Sequence, residues 1–203
     1  SAGCIIKMIQ ELSLIFTSRT KAQEIVLLLH NAKEVVRQGF YEQELVPVEK
    51  FCKEHSLFLA RSKFKVILDD ENHFTNKGLR ISETDVRTGM YFVYISKDET
   101  KAYLASYYEL INDHQKLGLL LGYPECCVNF FCRNFNEQNT NLELTPTNSY
   151  TNISKRNEDT VLLSHFPCSS ECKPSIELGK KYLESIRSVD SVRAQQLQEV
   201  LQL

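Results

Sequence analysis

Five of the chain's seven cysteines fall between residues 126 and 172, and four of them form two pairs, in GYPECC (122–127) and HFPCSSEC (165–172). The thiolate is the form of cysteine that binds a metal or attacks an electrophile, and nearby positive potential favours it. Pro124 is of the type that opens a helix, which puts Cys126 and Cys127 in a first turn. Cys172 stands just before Pro174, at or beside the N-cap of a further helix, with Cys168 one loop-turn earlier. Both pairs are thus expected at helix N-termini, where unpaired N–H groups and the positive dipole end favour negative charge.

His165 precedes Cys168 by three residues and Cys172 by seven. The H-x-x-C-x-x-x-C spacing is not that of a standard zinc knuckle. Even so, Cys126, Cys127, His165, Cys168 and Cys172 together offer ligands for tetrahedral zinc or an iron–sulfur cluster. Neighbours on a helix differ by about 100° in direction, so the adjacent cysteines suit a large cluster better than one small ion. Three other readings fit the same residues. One is a thiol enzyme with Cys126 or Cys127 as nucleophile and His165 or His114 as base. Another is a structural zinc that holds the long loop against the helices and leaves the surface to a protein partner. The last is a set of inert buried cysteines.

Val128, Phe131 and Phe135 set the apolar face of the helix that Pro124 opens, and Cys127 lies four residues before Phe131 on it. Cys127 is therefore predicted to be the more buried of the pair, and Cys126 the nearer to the pocket opening and, in a thiol enzyme, the better nucleophile. Cys132, farther along the helix, reads as core, as do Cys4 and Cys52 on apolar helical faces. Tyr123, Phe130, Phe131 and Phe166 are expected to wall the site, and Tyr103, Tyr107 and Tyr108 to serve packing. Gly118 suits close helix packing and Gly122 a helix end. His30, His55 and His73 have no companions and receive no role.

Composition narrows the setting. The 203 residues are 42% hydrophobic and 25% charged, an ordinary globular balance. A net charge of −2 gives no sign of nucleic-acid binding. No run approaches the ~20 apolar residues that span a bilayer. The opening segment lacks the pattern of a signal peptide. An odd number of cysteines sits poorly with a complete disulfide framework. A cytoplasmic protein is expected, without membrane contact, its partners otherwise unknown.

The elements that must position the site read as α+β. Residues 4–16, 20–38 and roughly 46–54 have helical periodicity, with Gly39 as a C-cap. LFLARS (57–62), FKVILD (64–69) and MYFVYIS (90–96) read as strands, with a short strand possible at 79–82, which makes a small sheet of three or four strands. Helical periodicity resumes over 98–121, Pro124 opens the next helix, and 136–160 is a polar loop. A helix from Pro174 to about Arg187 and an amphipathic tail close the chain. One domain over 1–203 is expected: a helical segment (1–54), a small sheet (55–97) and a helical part carrying the site (98–203).

LGLLLGYPECCVNFF (117–131), HFPCSSEC with the following SIELGKKY (175–182), and GMYFVYISKDET (89–100) give the chain a resemblance. It resembles a largely archaeal family, a domain of unknown function with paired GYPxCC and HxPCSxxC motifs, over roughly residues 55–187. The resemblance implies an intracellular setting and a site at Cys126, Cys127, His165, Cys168 and Cys172. It implies no particular reaction.

Overall fold

A computed structural model describes residues 8–70 and 78–203. Backbone proximity divides the chain into two compact units, residues 33–142 on the one hand and 1–32 with 143–203 on the other. The architecture is α+β. Cys4, His73 and the start of the expected first helix lie outside the described residues.

In unit 33–142 the strands are β1 (Val35–Phe40), β2 (Phe58–Arg61), β3 (Phe64–Leu68), β4 (Gly78–Ser82) and β5 (Tyr91–Ser96). They form an antiparallel three-stranded sheet in the order β1-β5-β2 and a two-stranded sheet β3-β4. MYFVYIS supplies the central strand, and Val93, Tyr94 and Ile95 are fully buried. Helix α3 (Glu42–Glu54) follows β1 and begins earlier than its pattern suggested, with the Tyr41 amide at its start donating to Glu44 Oε1 at 3.0 Å. Helices α4 (Glu99–Leu110), α5 (His114–Leu120) and α6 (Glu125–Asn134) complete the unit. Val35, Tyr94, Ala105, Leu117 and Leu121 share one core cluster, which joins sheet, α4 and α5. Beside it the buried Glu109 carboxylate accepts hydrogen bonds from Tyr94 Oη (2.8 Å) and Arg37 Nε (2.6 Å). A carboxylate withdrawn from water needs such partners.

The helix expected over 20–38 is two elements. Helix α2 (Arg19–Leu29) ends early, and Val35–Phe40 become β1, paired with β5 from Val35↔Ser96 to Phe40↔Tyr91. Val35 and Val36 are β-branched and favour a pleated surface. Every residue of β1 except Arg37 is buried, so the strand lacks the alternation that marks a half-exposed one. Gly39 lies inside it instead of capping a helix, and a methyl group there would run into the Met90 thioether.

The other unit holds α1 (Met8–Phe16), α2, α7 (Lys173–Val189) and α8 (Ser191–Leu201). Along α7, Ser175, Gly179, Tyr182, Leu183 and Ile186 are buried at helical spacing. Asp190 is buried between α7 and α8 and accepts from the amides of Arg193 and Ile9, both at 2.9 Å. Asp159 does the same for the Arg19 and Thr20 amides that open α2. Buried Arg193 donates to Gln23 Oε1 and the Asp159 carbonyl, and Gln23 donates to the Val161 carbonyl. The loop of 143–172 is secured by an Arg156–Glu143 ion pair at 3.1 Å and by Tyr150 against α7. Its short 3₁₀ turn is Ser149–Thr151. No helix among the described residues is long and apolar enough to cross a membrane.

Candidate metal centre

The first cysteine pair is delivered by a tight sequence of caps. Asp113 caps α5 by accepting from the Lys116 amide at 3.0 Å. Gly122 leaves the helix with φ +81°, a conformation that glycine adopts without strain. The Tyr123 amide bonds to the Gly118 carbonyl and the Gly122 amide to Leu119, the paired bonds of a Schellman ending. Pro124, extended at φ −56° and ψ 135°, is the N-cap of α6, and its carbonyl accepts from Cys127 N (2.9 Å) and Val128 N (3.0 Å). Cys126 and Cys127 therefore occupy the first turn of α6. Gly118 makes room for the helix pair, since a methyl group on it would meet Val128 Cγ2 at 2.9 Å.

In the second segment Cys172 is the N-cap of α7 and Pro174 lies in the first turn. The Cys172 amide bonds back to Ser169 O (3.3 Å) and the Ile176 amide to Cys172 O (3.0 Å), while the Ser170 carbonyl accepts from Asn148. Cys168 opens this compact turn. Both pairs stand at helix N-termini, as their sequence context predicted.

The sulfur atoms of Cys126, Cys127, Cys168 and Cys172 all lie within 4.8 Å of one another. Cys126 Sγ and Cys127 Sγ are 3.9 Å apart. Cys127 and Cys172 are buried, at 2% and 4% exposure, Cys168 is half-buried and Cys126 exposed. Within the pair, the predicted order of burial holds.

His165 lies outside this group of four. Its ring is buried, and Nε2 shares a hydrogen bond of 2.9 Å with Ser175 Oγ, a fully buried hydroxyl in the first turn of α7. Ser175 escaped the sequence reading because nothing in its local spacing marks it as a histidine's partner. His114, the other candidate base, is exposed at the start of α5, with its ring edge-on to Phe131 at 5.7 Å. Tyr123, Phe130, Phe131 and Phe166, the expected wall, are each at least half-buried. Cys132, expected in the core, is exposed. Partial burial, and behind it the Asp113 carboxylate, pushes its thiol up. Cys52 is buried as predicted, and burial raises its thiol to about 12, with Glu49 adding to the effect. Tyr103 and Tyr107, expected to pack, are 67% and 46% exposed, because they face out from α4 while Ala102 and Ala105 face in.

A family model described as "Protein of unknown function (DUF483)" matches residues 102–201, from within α4 to the end of α8. The matched segment contains both cysteine motifs. No curated protein and no solved structure matches the chain.

Proposed function

We propose that this protein is a metal-binding protein whose centre holds one ion, zinc, through the thiolates of Cys126, Cys127, Cys168 and Cys172. The mutual closeness of the four sulfurs carries this reading. A tetrahedral ion with metal–sulfur bonds of about 2.3 Å sets its ligand sulfurs about 3.8 Å apart. The Cys126–Cys127 separation of 3.9 Å already has that value, and the 4.8 Å limit on the others needs only small side-chain adjustments. An iron–sulfur cluster distributes its cysteines over several irons and spreads their sulfurs more widely. Soft thiolates and tetrahedral S4 geometry suit zinc or a single iron, and the two helix N-termini stabilise the negative charge that four thiolates bring.

Four protein thiolates complete the coordination sphere. Structural zinc sites are closed in this way, whereas catalytic ones keep a position for water or substrate. The ion would then act by fixing the turn that runs from Cys168 to Cys172 and the first turn of α6. His165 serves on this reading as a buried polar anchor through Ser175 and not as a ligand. Retaining four reduced thiols also suits a reducing, intracellular compartment. The exposure of Cys126 favours a second reading, in which that thiol is a nucleophile.

Elemental analysis of anaerobically purified protein tests the proposal. One zinc per chain is expected, and cobalt substitution should give the intense visible bands of a tetrahedral thiolate complex. Brown protein with acid-labile sulfide would replace the single ion by a cluster. Protein without metal, in which iodoacetamide modifies Cys126 rapidly near neutral pH, would favour the nucleophile.

A further inference from the structure

We infer that this centre is oxidation-sensitive: a peroxide acts first on Cys126, a disulfide forms with Cys168, and the ion is released. The inference rests on the single-ion reading and adds a regulation to it. Its motive is the unequal exposure of the four ligands. Cys127 and Cys172 are closed off from solvent, Cys168 is half-buried and Cys126 is exposed. Susceptibility to oxidation follows thiolate character and access, and sensor cysteines work beside a second thiol that resolves the first product. A metal-bound thiolate at the surface, with three more sulfurs within 4.8 Å, meets those conditions.

The chemistry balances with the peroxide as the only oxidant. Cys126 Sγ attacks one peroxide oxygen, the O–O bond breaks, and a sulfenic acid and hydroxide result. The sulfur of a second thiolate then attacks the sulfenic sulfur, an S–S bond forms, and the S–O bond breaks to release a second hydroxide. Two protons from solvent convert both hydroxides to water. The two thiolates have lost two electrons to the peroxide, and the ion keeps two of its four ligands.

Geometry selects Cys168 as the resolving thiol. A disulfide between adjacent Cys126 and Cys127 would close a strained ring across one peptide bond, within a turn held by the Cys127 N to Pro124 O bond. Cys172 is buried, and as the N-cap of α7 its backbone is tied at both amide and carbonyl. Cys168 is the remaining ligand with solvent access, and it sits at the open end of its turn. Joining two sulfurs from within 4.8 Å to the ~2.05 Å of a disulfide asks for a shift of under ~3 Å.

Zinc-loaded protein treated with hydrogen peroxide tests this, with a chromogenic chelator reading the released metal and mass spectrometry mapping the disulfides. One zinc per chain should be released in step with a Cys126–Cys168 disulfide. Cys126→His keeps four nitrogen and sulfur ligands and should slow release roughly tenfold or more. Wild-type protein alone suffices should that variant fail to fold. Release with a Cys127–Cys172 pair, or oxidation that leaves zinc bound, overturns the switch and leaves the metal site standing. Protein that never takes up a metal overturns the single-ion reading beneath it.

Discussion

Cys126 Sγ and Cys127 Sγ lie 3.9 Å apart although the two residues are neighbours on a helix. Their Cα–Cβ bonds diverge, but in a first turn no preceding helical turn crowds the side chains, and the two sulfurs come close. On the single-ion proposal the pair would provide two ligands to the same ion. Cys127→Ser and Cys168→Ser should each weaken zinc binding by orders of magnitude, read by competition with a chelator of known affinity. His165→Asn should leave the stoichiometry at one zinc per chain. Loss of metal in the histidine variant, with the cysteine variants unaffected, would reverse the ligand assignment.

If the ion fixes the turn from Cys168 to Cys172, removing it costs folding free energy. Chelation should lower the melting temperature and make the loop of 143–172 sensitive to protease, while the buried network of Asp190, Arg193 and Gln23 holds. A melting curve unchanged after complete metal removal would contradict the structural role.

Much of this arrangement was legible in the sequence, for local reasons. Helix N-termini announce themselves through Pro124 and Pro174, and MYFVYIS carries its strand character in its β-branched and aromatic residues. What was missed depended on distant residues. Val35–Phe40 is a strand because β5 pairs with it, and its nearly unbroken burial looks helical to any local period. His165 shares a loop with Cys168 and Cys172, but its hydrogen bond to Ser175 is set by where α7 begins. Tyr103 and Tyr107 recur at helical spacing, and spacing alone does not say which side of α4 is covered.

Gly118 separates α5 from α6 and so sets the height at which the first cysteine pair stands. Gly118→Ala should destabilise by about 1–2 kcal/mol, because the added methyl meets Val128 Cγ2 at 2.9 Å and outweighs the helical gain of alanine. Val128→Ala in the same chain should recover part of the loss. A double-mutant cycle by urea unfolding measures the coupling, and strictly additive effects would rule out this contact as the cause.

Cys52 should give the protein a pH dependence unrelated to the four clustered cysteines. Burial first, then the Glu49 carboxylate, raises its thiol to about 12. An unfolded thiol ionises near 8.5. Between those values the unfolded chain gives up a proton that the folded chain keeps, so stability falls as pH rises through this window. Below it both states hold the proton and Cys52 adds no slope. Cys52→Val should therefore lose less stability than the wild type between about pH 8 and about pH 10. Urea midpoints at the two pH values, compared between the proteins, measure the difference, and equal slopes would remove Cys52 as the cause.

The two cysteines of the vicinal pair should differ in reactivity once metal is gone. Cys127 is 2% exposed, and its amide is bound to Pro124 O. Cys126 is exposed. Both stand in the first turn of the same helix, so access sets the order. Cys132, exposed near the end of α6, provides an internal reference: its thiol is raised by partial burial and by Asp113, and it lies away from the helix start. Iodoacetamide labelling of reduced, metal-free protein near neutral pH should run Cys126 first, then Cys132, then Cys127. With zinc bound, Cys126 and Cys127 should both slow while Cys132 keeps its rate, because coordination ties up only the ligand thiolates. Tryptic mass spectrometry at timed quenches reads all three. Labelling of Cys127 ahead of Cys126 would overturn the assignment of Cys126 as the accessible ligand. Equal protection of Cys132 by zinc would point to general tightening of α6, not to coordination by the pair.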